Sequence, residues 1–244
     1  MTPNNILNMA MLKKLDFVAI TDHNTTKQLK VFSELEDSYD FVFIPGVEVT
    51  VKENFDVLCF FKSFNNALKF DKLLEKNLDG EWGVFTPKDQ ILTDIYDTEV
   101  GNFHKPLTST SIPYKELFKE VRKLNGLLIL CHIDRSSHSA FNIVDFNDIE
   151  FDAIEISKYS KDTFLKKYPE LKKYKIIFNS DSHTLLSISE REYTLDLKNK
   201  SLESFFDYFR GEDNEWIIST YSWCLWKFNK SWCKFNRNYY YWKY

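Results

Sequence analysis

Asn179-Ser-Asp181-Ser-His183 closes the apolar run Tyr174-Lys-Ile-Ile-Phe178 with a carboxylate and an imidazole two residues apart. In an extended chain such a pair leaves on the same side, so it can grip one object. A hard or borderline metal ion is the natural object for an oxygen and a nitrogen donor set together. Two other segments repeat the design, Phe17-Val-Ala-Ile-Thr-Asp22-His23-Asn24 and Leu127-Leu-Ile-Leu-Cys-His132-Ile-Asp134-Arg135. A fourth, Phe41-Val-Phe-Ile-Pro-Gly46-Val-Glu48, ends in an acid. Taken singly, each motif has a bland reading: His23 as a loop histidine beside a capping Asp22, Glu48 as a solvated acid, His132 as a boundary histidine. Taken together, ligand-type residues at the ends of four separate apolar strands point to a metal site assembled from distant parts of the chain.

The chemistry such a site would do is hydrolysis by metal-activated water, with a second ion able to clamp the attacking and leaving oxygens. Negative charge developing in such a reaction needs cations, and Arg135 is the side chain best placed to meet it after the metal. Asp134 is expected to orient His132 or Arg135. His104 and His138 read as ordinary loop histidines, the alternatives being an added contact to the site from His104 and a place at its entrance for His138.

The elements that must carry these residues follow from periodicity. Thr2-Pro3 opens a helix whose apolar positions Ile6, Leu7, Ala10, Met11 and Leu15 recur at helical spacing. Strands are expected at 17–21, 41–44, 55–61, 127–131, 152–156, 175–179 and 193–197, and helices at 27–37, 63–76, 113–124 and 161–172. Residues 79–111, rich in turn formers, read as an excursion of hairpin and loops over one face. This βα alternation of nearly continuous apolar strands predicts a parallel sheet covered by helices. A barrel is expected over an open sheet, because the ligands come from many strand ends rather than one switch point.

At 244 residues and 29.1 kDa, the chain is long enough for one α/β domain. Residues 1–215 carry all 36 acids and 27 of the 32 Lys and Arg, so the net charge of that part is -9, which argues against broad nucleic-acid coating. No apolar run is long enough to span a bilayer and the start resembles no secretion signal, so a cytoplasmic location is expected. The four cysteines have no zinc-knuckle spacing, and Cys59 and Cys131 read as buried thiols inside apolar strands. Residues 216–244 hold five of the six Trp and five of the 13 Tyr with five bases and no acid. They read as an atypical tail beyond a 1–215 domain, either an aberrantly translated end or a surface for membrane headgroups or stacked bases.

The four motifs resemble those of the polymerase and histidinol phosphatase (PHP) superfamily, nearest its phosphoesterase-like branch. The matching pieces are Ile20-Thr-Asp22-His23-Asn24, Ile44-Pro-Gly-Val-Glu48, Cys131-His132-Ile-Asp134-Arg135-Ser-Ser and Asn179-Ser-Asp181-Ser-His183. The resemblance implies a distorted (β/α)7 barrel holding two or three divalent ions (Mn, Zn or Fe). His23, Glu48, His132, Asp181 and His183 resemble the metal ligands, and Asp22 the acid that orients the site. A first strand bearing His-x-His, expected in that family, has no equivalent here, so a barrel lacking its first strand and fewer ions are expected. The function implied is hydrolysis of a phosphate ester on a small metabolite or nucleotide. Trimming of RNA or DNA ends is the alternative within the enzymes, and a noncatalytic remnant the alternative outside them.

Overall fold

The computed structural model describes residues 2–80, 90–211 and 219–226. Helix α1 (Pro3–Leu12) precedes β1 (Phe17–Ile20), α2 (Leu29–Leu35), β2 (Val42–Thr50), β3 (Asp56–Phe60) and α3 (Phe64–Asn77). A hairpin of β4 (Gln90–Thr93) and β5 (Glu99–Phe103) leads to α4 (Tyr114–Lys123), β6 (Leu127–Leu130), β7 (Ala153–Ser157), α5 (Lys161–Lys167) and β8 (Ile176–Asn179). The last elements are β9 (Thr194–Leu197), α6 (Leu202–Arg210) and β10 (Ser219–Trp226). Most expected strands and helices are present, and the 79–111 excursion contains the separate two-stranded sheet β4-β5.

The arrangement of the strands corrects the expected barrel. Among the described residues, eight strands form one sheet in the order β8-β7-β6-β3-β2-β1-β10-β9, with β8 and β9 at its two ends rather than paired. The sheet is mixed, because β3 runs antiparallel to both β2 and β6, and β9 antiparallel to β10. It is therefore an open sheet and not a closed (β/α)7 barrel, complete or missing one strand. A short β2–β3 turn, with the Val51 N–H donating to Phe55 O at 3.0 Å, is what reverses β3.

Alternation along the strands divides the core in two. Val18, Ile20, Phe43, Val47, Val57, Cys59, Leu128, Leu130, Ile154 and Ile156 pack with α1, α3 and α4 on one face. Phe17, Ala19, Ile44, Leu58, Phe60, Leu127, Ile129, Cys131, Ala153 and Ile177 share the other with Leu195 and Leu197. Residues near both ends of the sheet thus meet in one cluster, so the sheet curls. Helix α6 plugs the concave side through Phe205, Phe206 and Phe209. Its Ser201 hydroxyl caps the helix by accepting from Ser204 N–H, and Gly211 ends it at φ 73°.

Two local readings also change. Pro45-Gly46 does not end a strand, since β2 continues to Thr50. A Cβ at Gly46 would lie 2.7 Å from Phe60 Cδ1 and 2.9 Å from Thr21 Cγ2, so the glycine serves close packing inside the sheet. Part of the 216–244 stretch is β10, parallel to β1 on one side and antiparallel to β9 on the other; 216–218 and 227–244 lie outside the described residues. No helix among the described residues is long and apolar enough to cross a membrane.

Candidate metal centre

Strands β1, β2, β6, β7 and β8 point the same way, and β3 begins where they end. Along the concave face the inward residues turn from apolar to polar toward that end. Ala19 gives way to His23, Ile44 to Glu48, Leu58 to Asp56, Ala153 to Glu155 and Ile177 to Asn179 and Asp181. Two-residue alternation therefore aims these side chains into one cup, floored by the α6 aromatics.

The cup is dominated by buried carboxylates. Glu48 and Glu155 are fully buried, and Asp56 and Asp181 nearly so. His132 Nε2 lies 3.3 Å from Glu48 Oε1 and 3.4 Å from Asp56 Oδ2. His23 follows β1, bridges Glu48 in parallel register, and brings Nδ1 to 3.9 Å from Glu48 Oε2. Thr50 Oγ1 donates to Asp56 Oδ1 at 2.5 Å, and His138 Nδ1 is 3.7 Å from the same oxygen. Burial works against ionisation of Asp56, but His132, the nearby His138 ring and the Thr50 hydroxyl outweigh it, holding the carboxyl well below the usual range. Asp56 in turn raises the His138 pKa against its partial burial.

Arg135 donates from Nη2 to Asp181 Oδ2. Burial opposes its charge, yet Asp181, Glu155 and Glu48 together raise its pKa. One guanidinium thus faces three buried carboxylates, of which Glu48 also meets His132 and His23, while Asp56 lies between His132 and His138. Taking a charge out of water costs several kcal/mol per ion. A divalent cation would offset it.

Donor chemistry agrees. Ligand atoms of Glu48, Cys131 and His132 all lie within 4.8 Å of one another, a set suited to one ion. The 3.3 Å separation of His132 Nε2 from Glu48 Oε1 also matches a ligand-to-ligand edge for a tetrahedral ion with bonds of about 2.0–2.1 Å. Among the described residues, His23 Nε2 and both amide atoms of Asn179 are buried with no hydrogen-bond partner. Backbone strain accumulates in the same place: Asn24, His132 and Asp181, each following a strand, have φ of 53°, 28° and 44°. Left-handed non-glycine residues cost about 1–3 kcal/mol each and are retained where the surroundings over-determine them.

The expected residues separate on this geometry. Glu48, His132 and His23 come together. Asp181 is engaged by Arg135, and His183 stands at the rim, its ring 6.2 Å from that of His23 and Nδ1 2.9 Å from the Asp181 carbonyl. Asp134 accepts from Ser157 N–H at 2.9 Å, tying the β6 loop to the end of β7. Asp22 turns to the opposite face, where Gln90 Nε2 donates to it at 3.4 Å in a small pocket lined also by Pro3, Ile6, Gln28 and Phe32. His104 stays on the loop after β5. Asp56, Glu155 and Asn179 are not among the ligands expected from the sequence, and Cys131 is expected there only as a core thiol. Glu155 carried a signal, an acid at an inward position between Ile154 and Ile156. Its Oε2 accepts from the His132 N–H at 3.3 Å.

No family model matches the chain, and no curated protein does. Among solved structures it is similar to the lesion-specific endonuclease PfuEndoQ from Pyrococcus furiosus, at 15% identity and a TM-score of 0.62, over 89% of this chain and 53% of that one. It is also similar to Endonuclease Q in complex with a 27-mer duplex substrate with an abasic lesion at the active site, at 17% identity and a TM-score of 0.59, over 86% of this chain and 52% of that one. The chain spans about half the length of these structures, and at such identities the likeness establishes the fold alone. The resemblance to the PHP superfamily is corrected with the barrel: no family model supports it, and the fold shared is the open sheet of the endonuclease structures.

Proposed function

We propose that the protein hydrolyses a phosphodiester bond in nucleic acid with a divalent ion held at the cup. The observation that carries this reading is the juxtaposition of the Glu48, Cys131 and His132 donor set with the Arg135 guanidinium at one end of the sheet. Glu48, Cys131 and His132 would hold the ion, with His23 and Asn179 lining it. A divalent ion there would supply Lewis acidity and lower the pKa of a bound water.

The remaining work belongs to side chains. Arg135, with its guanidinium partly exposed beside Asp181, presents free N–H donors to non-bridging phosphate oxygens. Glu155 and Asp134 fix the backbone of the 132–135 turn that carries both His132 and Arg135. If its Nδ1 donates to the Asp181 carbonyl, His183 keeps Nε2 directed outward, able to ligate or to pass a proton to the leaving oxygen.

A nucleic-acid substrate is favoured over a small metabolite by the rim. Tyr159, two residues past β7, is 86% exposed, and Leu186, three residues past His183, is 88% exposed. Lys158 Nζ lies over the Tyr159 ring, 5.0 Å from its centroid, so a cation accompanies a largely exposed aromatic side chain, a pairing of the kind that serves nucleic-acid grooves. The similarity to endonuclease structures, one of them described with a duplex DNA substrate, supports the same choice.

The test is cleavage of end-labelled single-stranded and duplex DNA and RNA, beside a panel of phosphomonoesters, with zinc or manganese supplied. Metal-dependent oligonucleotide cleavage, abolished by chelation and reduced at least about 100-fold in His132→Ala, is the expected result. Hydrolysis of monoesters alone, or cleavage indifferent to chelation, overturns the reading.

A further inference from the structure

Cys131 occupies the inward position at the end of β6, directly before His132, and is fully buried on the concave face. Its sulfur belongs to the donor set with Glu48 and His132, within 4.8 Å of their ligand atoms. The other cysteine in the sheet, Cys59, faces the opposite way into the outer core, where burial pushes its pKa far up and leaves it an inert thiol. Two buried cysteines thus differ by strand parity: one packs against helices, the other against a carboxylate and an imidazole.

We infer that Cys131 is a thiolate ligand that makes this centre selective for zinc, or another thiophilic divalent ion, over manganese and magnesium. The inference rests on the proposed metal centre but not on the proposed substrate. Thiolate donors favour zinc, whereas manganese and magnesium favour carboxylate, carbonyl and water oxygens. One sulfur, one nitrogen and one oxygen leave a single tetrahedral position open, the pattern of a catalytic rather than a structural zinc site. The fully buried Asn179, whose amide atoms have no partner among the described residues, also faces the cup. Binding requires loss of the thiol proton to solvent, so zinc uptake releases a proton.

Cobalt(II) gives a readout independent of turnover. Metal-stripped protein titrated with cobalt should develop the near-ultraviolet sulfur-to-cobalt charge-transfer band, kept in Cys59→Ser and lost in Cys131→Ser. Zinc affinity relative to manganese should fall at least about 10-fold in Cys131→Ser, with circular dichroism confirming that it folds. The wild-type spectrum needs no variant: stoichiometric cobalt without the charge-transfer band overturns the thiolate, and failure to take up cobalt overturns the centre itself. If the band appears but no oligonucleotide is cut, the ligand assignment stands and the phosphodiesterase reading falls.

Discussion

Asn179 sits where the needs of the fold and of the site conflict. Its amide is buried at the end of β8 with neither atom hydrogen-bonded among the described residues, a state that costs about 1–3 kcal/mol per polar group. A near-isosteric Asn179→Leu change should therefore stabilise the metal-free protein by about 1–2 kcal/mol while weakening zinc binding. Chemical denaturation and metal titration of the same preparation check both halves; a variant no more stable than wild type shows that the amide is satisfied in solution. His23, Glu48 and His132 were legible in the sequence because each follows an apolar run. Asp56 was not, because a search for ligands after strands overlooks a residue that begins one. Only the reversal of β3 brings it beside His132, and nothing in residues 55–61 announces a reversal. Cys131 was hidden for another reason: a cysteine ending an apolar run looks the same whether its sulfur meets leucine or a ligand set.

Strand parity was legible; strand neighbours were not. Alternation along 17–23, 127–131 and 153–157 follows from the residues, but placing β10 between β1 and β9 depends on pairing across some 200 positions, and the aromatic run 216–244 offers no simple alternation to reveal it. What anchors β10 is a single acid. Asp16 Oδ2 accepts from the Ser222 N–H at 2.7 Å, from Ser222 Oγ at 2.8 Å and from Arg191 at 2.8 Å, while Asp16 N–H donates to Ser222 O at 3.0 Å. Tyr221 then packs edge-on to Phe17 with ring centroids 5.9 Å apart. Asp16→Ala leaves those donors without their acceptor and should cost about 1–3 kcal/mol. Amide exchange should accelerate in residues 219–226 before it does in β6 or β7. Uniform protection across the sheet would mean that β10 is held by its ladder alone. Removing the strand altogether would bare β1 and β9 as unpaired edges, so a chain ending before residue 219 is expected to aggregate rather than gain solubility.

The polar side chains of the cup come from β1, β2, β3, β6 and β8 and the loops that follow them, which span most of the sheet and enclose the α6 plug. An ion held by Glu48, Cys131 and His132 ties together strands whose ligands lie 84 residues apart, at positions the curl of the sheet brings close. Binding to the native but not the unfolded chain stabilises by about 2.7 kcal/mol at free metal 100 times its Kd. For a chain of this size that corresponds to a rise in Tm of roughly 5–10 °C. The gain should appear as an upward shift of one cooperative transition, because the ligands and both faces of the core belong to the same strands. Glu48→Gln should abolish most of the shift, since it removes the charge of the fully buried carboxylate that meets both His23 and His132. Differential scanning calorimetry of the metal-stripped protein with and without zinc decides it. A shift confined to one of two resolved transitions would show that the ends of the sheet unfold independently, and that the ion fastens one part of the molecule rather than the whole.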